Sequence, residues 1–451
     1  IGNNSVDTIA IDVGHIVFLF TKTRNGHGFL FSYFFIIIAA GHIWKFVTLA
    51  YIPPTIAGMV LAYRGKYLSG GLLTAVFVAL QIVSNHVQMS YYFLFVMLFM
   101  AVAFGVDAWQ KKEMPQFLKA TGVLLMAGIL GVCINLSNLY HTYEYSKETM
   151  RGKSELVKPD SHNQTKSGLE RDYITQWSYG IGETFSLLVP NVKGGASVPL
   201  AANEKAMEKA NPMYNSIYSQ IGQYWGEQPG TSGPVYVGAF VMFLFILGLF
   251  IVKGPMKWAL LSATVLSVLL SWGKNFMGFT DFFLDYIPMY DKFRAVSSIL
   301  VIAEFTIPLL AVLALKEVMA RPQLVKERAR SFYISLGLTG GIALLFALAP
   351  GFFFPSYVSS MEMQALQGIP ADQLAPLLAN LEEIRRSVFT SDAWRSFFII
   401  VIGCLFLFLY QLRKLKASFT LAGIALLCLI DMWSVNKRYL NDEQFVPKSK
   451  R

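Results

Sequence analysis

Ten long apolar segments constrain the fold of this chain more than any other feature. Each is about 16 to 23 residues long, and an α-helix needs about 20 residues to cross the ~30 Å hydrocarbon core of a bilayer. The segments are 47–63, 68–84, 89–106, 117–137, 235–252, 256–272, 297–315, 332–354, 397–412 and 417–433. An eleventh stretch, 29–41, is shorter and is typical of the last part of a further span. The pattern predicts an all-α polytopic membrane protein with ten to eleven transmembrane helices.

The composition supports this fold class and excludes several functions. Hydrophobic residues make up 54% of the 451 residues and charged residues only 15%, whereas soluble domains carry about 25% charged residues. The three cysteines, Cys133, Cys404 and Cys428, lie in apolar runs, which is not typical of a disulfide framework or a structural zinc site. The sequence has no GxxxxGK[ST] or GxGxxG motif, so direct use of a nucleotide is not expected.

The connections between the segments predict the orientation of the chain. Every second connection is short and basic, namely 63–67, 107–119, 253–257, 316–331 and 413–416. These five hold 15 Lys and Arg against four acidic residues, a net charge of +11, while the rest of the chain has a net charge of −1. The positive-inside rule places them in the cytoplasm. The overall charge of +10 therefore records orientation, and no nucleic-acid partner is expected.

The same alternation predicts that the long connections 138–234, 273–296 and 355–396 are extracytoplasmic. The predicted organisation is an atypical, truncated start (1–31), transmembrane helices (32–137), a large outer loop domain (138–234), transmembrane helices with an outer re-entrant segment at 273–296 (235–354), a second outer loop (355–396), a transmembrane hairpin (397–433) and the start of an outer C-terminal region (434–451). Apolar residues at helical spacing between Leu374 and Val388 predict an amphipathic helix. It is expected on the outer membrane surface or on the other loops.

Glu304 is the charged residue placed most deeply inside an apolar segment, four residues before Pro308. A charge in the bilayer core costs at least about 2.5 kcal/mol, so it should face a polar partner or a polar cavity. Two interpretations stay open. Glu304 is either a structural partner of a polar residue on a neighbouring helix or part of a substrate site.

A group of charges precedes the span that contains Glu304. Asp285, Asp291, Lys292 and Arg294 alternate there with aromatic residues. Lys292 and Arg294 are candidates for contacts with a lipid phosphate, because guanidinium and ammonium groups bind phosphate oxygens. Asp285 and Asp291 are candidates for a catalytic acid or metal role. The alternative is a simple interfacial anchor.

Two short polar motifs lie at the predicted outer ends of helices. One contains His42 and Lys45, and the other contains His86 and Gln88. At one depth they would form a rim suited to a sugar or a phosphate, although they could equally be interfacial caps. No carboxylate is adjacent to the two histidines, so the sequence assigns no metal ligands there.

Several longer strings resemble the YfhO family of bacterial membrane proteins, in the form found in Bacteroides-type bacteria. They are SYFFIIIAAGHIWK (32–45), AYIPP (50–54), NHVQM (85–89), NLSNLYHT (135–142), YWGEQPG (224–230) and KFR (292–294). The resemblance covers about residues 32 to 446. It implies a GT-C-like integral-membrane glycosyltransferase of the bacterial cytoplasmic membrane. Such an enzyme would move a sugar from a polyprenyl-phosphate carrier to a cell-envelope polymer, and a divalent metal would be compatible with it.

The chain departs from this family at its start. GT-C enzymes carry a catalytic Asp or Glu in the first outer loop, and residues 1–31 do not resemble that region. We therefore expect a fragment that lacks the family's catalytic acid. In the glycosyltransferase reading, Lys292 and Arg294 contact the phosphate and His42, Lys45 and His86 support them. The rival functions are a transporter or flippase for a lipid-linked sugar or polymer, which Glu304 and Pro308 favour, and a noncatalytic envelope-assembly protein.

Overall fold

Helices and the turns between them, without β-strands, make up the part of the chain that the structure, a computed structural model, describes: residues 41–152, 162–165 and 169–441. The longer helices are α1 (Ile43–Ala50), α2 (Ile52–Tyr63), α3 (Tyr67–Val83), α4 (Val87–Lys111), α5 (Met114–Ile134), α6 (Leu136–Lys147), α7 (Ala239–Ile251), α8 (Met256–Ser271), α9 (Met277–Tyr286), α10 (Val301–Ala320), α11 (Ala329–Leu336), α12 (Ile342–Leu348), α13 (Ala371–Gln411) and α14 (Ala417–Asn436). The predicted all-α class is confirmed.

All ten predicted apolar segments fall on helices, but fewer qualify as membrane spans. Within the described residues, seven helical stretches are long and apolar enough to cross a bilayer: Ile43–Tyr63, Val87–Lys111, Met114–Ile134, Val296–Ala320, Ala329–Leu348, Ala371–Gln411 and Ala417–Asn436. A bent pair that starts with α8 raises the number to eight. Helices α3 and α7 are apolar but shorter than a full span. The predicted count of ten to eleven is therefore not confirmed, and the stretch 29–41 lies almost entirely outside the described residues.

The described residues form two compact units. The first unit lies within Ile1–Ser178 and Val252–Leu309, and the second within Tyr179–Ile251 and Leu310–Arg451. In the first unit, α3 packs between α2 and α5, and α8 packs against α4. In the second unit, α13 packs against α7, α12 and α14. Each unit therefore has its own helical framework.

Glycine permits the closest helix approach in the first unit. A Cβ added to Gly70 of α3 would lie 2.5 Å from the backbone nitrogen of Ala62 and 2.6 Å from the carbonyl oxygen of Gly58, both on α2. Small residues at such crossings let helix backbones approach within van der Waals contact. The turn between the two helices, 64–66, is correspondingly tight.

A sharp bend separates α8 from the helical stretch Gly273–Tyr286, which lies at 109° to it. Gly273 has a φ of +45°, and a Cβ at this position would lie 2.1 Å from Ser178 Oγ. The chain therefore turns away from the axis of α8 at Gly273, a position that has no room for a larger residue. The sequence predicts a re-entrant or interfacial segment here, and that assignment to the membrane stays a prediction.

Helix α13 combines two segments that the sequence analysis treats separately. It runs unbroken, as Ala371–Gln411, from the connection 355–396 into the apolar segment 397–412. Its apolar stripe, which includes Leu377, Leu381 and Ile384, packs on Leu200 and Tyr218 of the same unit. Of the two expected placements for the amphipathic helix, the structure therefore shows packing on other loops.

Candidate functional site

Lys45 and Glu304 approach each other in the first unit. Lys45 lies in the first turn of α1, and its ammonium donates a hydrogen bond to Ser298 Oγ at 3.3 Å. Ser298 belongs to the 3₁₀ turn Val296–Leu300 that leads into α10. Glu304 lies one turn into α10, is only 7% exposed, and interacts electrostatically with Lys45. A cation and an anion distant in sequence therefore share one region of the first unit.

Two histidines adjoin this pair. His86 is the residue just before α4, and burial, followed by the positive charge of Lys45, lowers its pKa to about 4. Its Nδ1 atom is buried and has no hydrogen-bond partner among the described residues. The pKa of His42 is also lowered, by burial first and then by Lys45. Both imidazoles are therefore expected to be neutral at pH 7.

Gln88 connects the start of α4 to the segment that carries Arg294. Its Nε2 donates hydrogen bonds of 2.8 Å to the carbonyl oxygen of Arg294 and of 2.8 Å to Tyr92 Oη. In the same region, Tyr91 Oη donates to the carbonyl oxygen of Pro288 at 2.8 Å. The rim predicted from His86 and Gln88 thus lies directly beside the predicted phosphate-binding segment.

The guanidinium of Arg294 is held by two aromatic side chains. It donates a hydrogen bond to Tyr173 Oη, and it lies 5.0 Å from the ring centroid of Tyr173 and 5.6 Å from that of Trp177. Two backbone hydrogen bonds fasten these loops together, from Ala295 N to Ile174 O (3.1 Å) and from Ser297 N to Trp177 O (3.1 Å). Arg294 stays exposed. The arrangement gives a planar cation a fixed orientation while leaving part of it open to solvent.

Lys292 adds further positive charge through an exchange of hydrogen bonds with Arg151. Lys292 Nζ donates to Arg151 O at 2.7 Å, and Arg151 Nε donates to Lys292 O at 3.1 Å. The two side chains are therefore tied to each other's backbone although they carry like charges. With Arg294 two residues away, three cations lie close together on this part of the first unit.

The two aspartates of the predicted site have different surroundings. Asp285 accepts a hydrogen bond from Arg171 at 2.7 Å, and the same guanidinium bonds Asp281 at 2.5 Å. Asp291 is buried, and its carbonyl oxygen accepts a hydrogen bond from Leu169 N at 3.1 Å. Among the described residues, no group of three or more His, Cys, Asp and Glu side chains is arranged to hold a metal ion.

Sequence reasoning missed the partners that organise this site. Arg151, Arg171, Tyr173 and Trp177 come from the long connection 138–234, which has no periodic pattern that would pair its residues with 281–298. The only signal was the mixture of aromatic and basic residues in that loop. Such a mixture does not specify which charge each residue meets.

The second unit contains polar clusters of its own. Glu183 is 3% exposed and accepts hydrogen bonds from Tyr224 Oη (2.8 Å), Gln228 Nε2 (3.1 Å) and Gly180 N (3.2 Å). Burial raises the pKa of Glu183, although these donors oppose that shift. Because its acceptor atoms are well satisfied, Glu183 fixes the fold of this loop.

Asp431, near the end of α14, is a second buried carboxylate of this unit. It is 1% exposed and accepts hydrogen bonds from Tyr236 Oη (2.8 Å) and Ala239 N (3.0 Å), and from the guanidinium of Arg395. The side chain therefore caps the start of α7 and also pairs with the partly buried cation of Arg395. This set of partners is that of a structural carboxylate.

Comparison with known proteins found no matching family model, no matching curated protein and no matching solved structure. The resemblance to the YfhO family therefore stays a prediction from the sequence strings. The functional argument depends on the geometry of the first unit.

Proposed function

We propose that this protein is a membrane glycosyltransferase that moves a sugar from a polyprenyl-phosphate donor to a cell-envelope acceptor. The observation that carries the proposal is the Arg294 guanidinium, oriented by Tyr173 and Trp177 and flanked by Lys292. It adjoins the polar ends of α1 and α4 through Gln88. Fixed cations beside polar helix ends suit the phosphate of a ligand whose lipid chain lies among the helices.

The chemistry needs two contributions from the protein. Arg294 and Lys292 would stabilise the negative charge that develops on the leaving polyprenyl phosphate. A carboxylate would accept the proton of the attacking acceptor hydroxyl. Asp291 and Asp285 are the candidates for this carboxylate, and Asp285 also forms an ion pair with Arg171 at 2.7 Å.

The proposed location is the bacterial cytoplasmic membrane, with the site on the extracytoplasmic side. The apolar helices support a membrane location. The concentration of Lys and Arg in alternate short turns supports the orientation. Ten to eleven spans and large outer loops are part of this proposal, because α3 and α7 would then cross with support from neighbouring helices.

Transport of a lipid-linked sugar or polymer is the second candidate function. The observation that favours it is Glu304, a buried carboxylate within a membrane-type helix that also contains Pro308. Intramembrane acids are frequent in ion and proton pathways. Transport would move the intact donor without cleaving its phosphate bond.

Purified protein in lipid nanodiscs, supplied with a polyprenyl-phosphate sugar and an acceptor glycan, would separate the two functions. We expect release of polyprenyl phosphate and a loss of about 100-fold in turnover for Arg294→Ala, the usual effect of removing one group that stabilises developing charge. Arg321→Ala is the matched control, since Arg321 is an exposed arginine paired with Glu317 four residues earlier. Undiminished turnover in Arg294→Ala would contradict the phosphate assignment. Glu304-dependent uptake into liposomes without sugar release would favour transport.

A further inference from the structure

The carboxylate of Glu304 is buried although its charge favours contact with water or with hydrogen-bond donors. It is 7% exposed, and no described residue donates a hydrogen bond to its carboxylate. Lys45 acts on it electrostatically, and the Lys45 ammonium donates its hydrogen bond to Ser298 Oγ. An ionised carboxylate removed from water costs several kcal/mol unless hydrogen bonds replace its hydration. Glu304 is therefore a largely buried acceptor whose electrostatic partner among the described residues is Lys45.

The groups near Glu304 are suited to a hydroxyl-bearing ligand. Side chains on a helix point toward its N-terminus, so the Glu304 carboxylate is directed to the end of α10 where Lys45 bonds Ser298. Helix α4 packs against α10 at this level, where the rings of Phe93 and Phe305 lie 5.6 Å apart. Ser90 lies on α4 about one turn before Phe93, and His86 immediately precedes α4. Ser90 Oγ and His86 Nδ1 are both buried, and neither has a hydrogen-bond partner among the described residues.

We propose that Lys45 and Glu304 form a binding site for adjacent hydroxyl groups of an uncharged, polyhydroxylated headgroup. One hydroxyl donates to the Glu304 carboxylate, and its neighbour accepts from the Lys45 ammonium. The charges of Lys45 and Glu304 cancel each other, so a neutral ligand adds no charge to the site. A charged ligand would bring a buried charge that has no partner there. The inference depends on the proposed function, because it assigns the sugar end of the donor whose phosphate Arg294 binds.

The position of Gln88 connects the two parts of such a ligand. It lies two residues after His86 and bonds the backbone of Arg294 at 2.8 Å. The phosphate group and the sugar group are thus assigned to neighbouring surfaces of one unit. A site built to hydrogen-bond a hydroxyl group discriminates strongly against a ligand that lacks it, because its buried polar groups are then unpaired.

Binding measurements with two probes test this assignment. Wild type and variants in nanodiscs are titrated with a short-chain polyprenyl phosphate and with the same carrier linked to glucose. We expect Glu304→Gln and Lys45→Met each to weaken binding of the glucose-linked carrier by about tenfold or more and to leave binding of the bare carrier within about twofold. Arg294→Ala should weaken both. Lys111→Met is the control, because Lys111 is exposed and pairs with Asp107 at 2.6 Å.

The double variant Glu304→Gln/Lys45→Met guards against misfolding, since it leaves no uncompensated charge. It should melt close to wild type and still lose the preference for the glucose-linked carrier. An equal loss for both probes, or no loss for either, would overturn the assignment of the sugar site. A wild-type protein that binds neither probe would instead overturn the proposed function.

Discussion

At the scale of single residues, Arg385 places a fully buried positive charge inside the second unit. It is fully buried, and its guanidinium donates to Tyr357 O (2.7 Å), Gly222 O (2.5 Å) and both carboxylate oxygens of Glu362. One side chain therefore ties α13 to two separate loops. A buried guanidinium is stable here because each of its two terminal nitrogens has acceptors.

We predict that Arg385→Met destabilises the protein by about 3–5 kcal/mol, since it leaves the carboxylate and two carbonyl groups without their donor. The next residue supplies the control. Arg386 is exposed and pairs with Glu382 within the same helix, so Arg386→Met should cost about 1 kcal/mol or less. Chemical denaturation in detergent measures both. Equal losses for the two variants would show that the buried network contributes no special stability.

The sequence predicted some residue placements and could not predict others. Lys45, His86 and Gln88 were expected at one depth because each stands just before an apolar segment. This prediction needs only the residues next to each segment, so the local sequence is enough to make it. Arg385 and Arg171 were not singled out, because their partners lie far away in loops without regular patterns. Partner choice across long loops depends on the packed fold, which no local pattern encodes.

At the scale of helices, the end of a helix could be predicted from the end of an apolar segment where a turn residue follows that segment. Helix α4 ends before Lys112, which adopts a left-handed conformation with φ +61°. The sequence predicted that the apolar segment ends at 272, but it predicted neither the 109° angle of the bend at Gly273 nor the continuity of α13. The bend depends on a tight approach to Ser178 from another part of the chain. The continuity arises because no helix-breaking residue separates the amphipathic part from the apolar part.

The contact between α2 and α3 leads to a prediction at this scale. Gly70→Ala would place a Cβ within 2.5 Å of the α2 backbone, so the helices must separate, at a cost of about 1–3 kcal/mol. Gly122 of α5 has no neighbouring atom within 4 Å of an added Cβ. Gly122→Ala should therefore be neutral or stabilising by up to about 1 kcal/mol. Melting temperatures of both variants check this, and a Gly70→Ala protein as stable as wild type would show that the crossing is loose.

At the scale of the whole molecule, the distribution of charge predicts the orientation of the helices, and the length of each helix determines whether it can cross the membrane alone. Alternate short turns carry the net positive charge, and this predicts which ends of the helices face the cytoplasm. Helix length decides which segments can cross alone, and α3 and α7 do not reach that length. Their membrane placement depends on packing: α3 lies between α2 and α5, and α7 packs on α13. Hydropathy alone therefore does not decide whether α3 and α7 cross the membrane independently.

The predicted orientation can be tested across a single helix, α5. Lys111 at the end of α4 and Glu144 on α6 flank it in sequence, and both are exposed residues paired within their own helices. In a background without the three native cysteines, we expect a membrane-impermeant maleimide to label Glu144→Cys in intact cells. Lys111→Cys should react only after permeabilisation, because its turn belongs to the basic set. The reverse pattern would invert the topology, and labelling of both in intact cells would show that α5 does not cross the membrane.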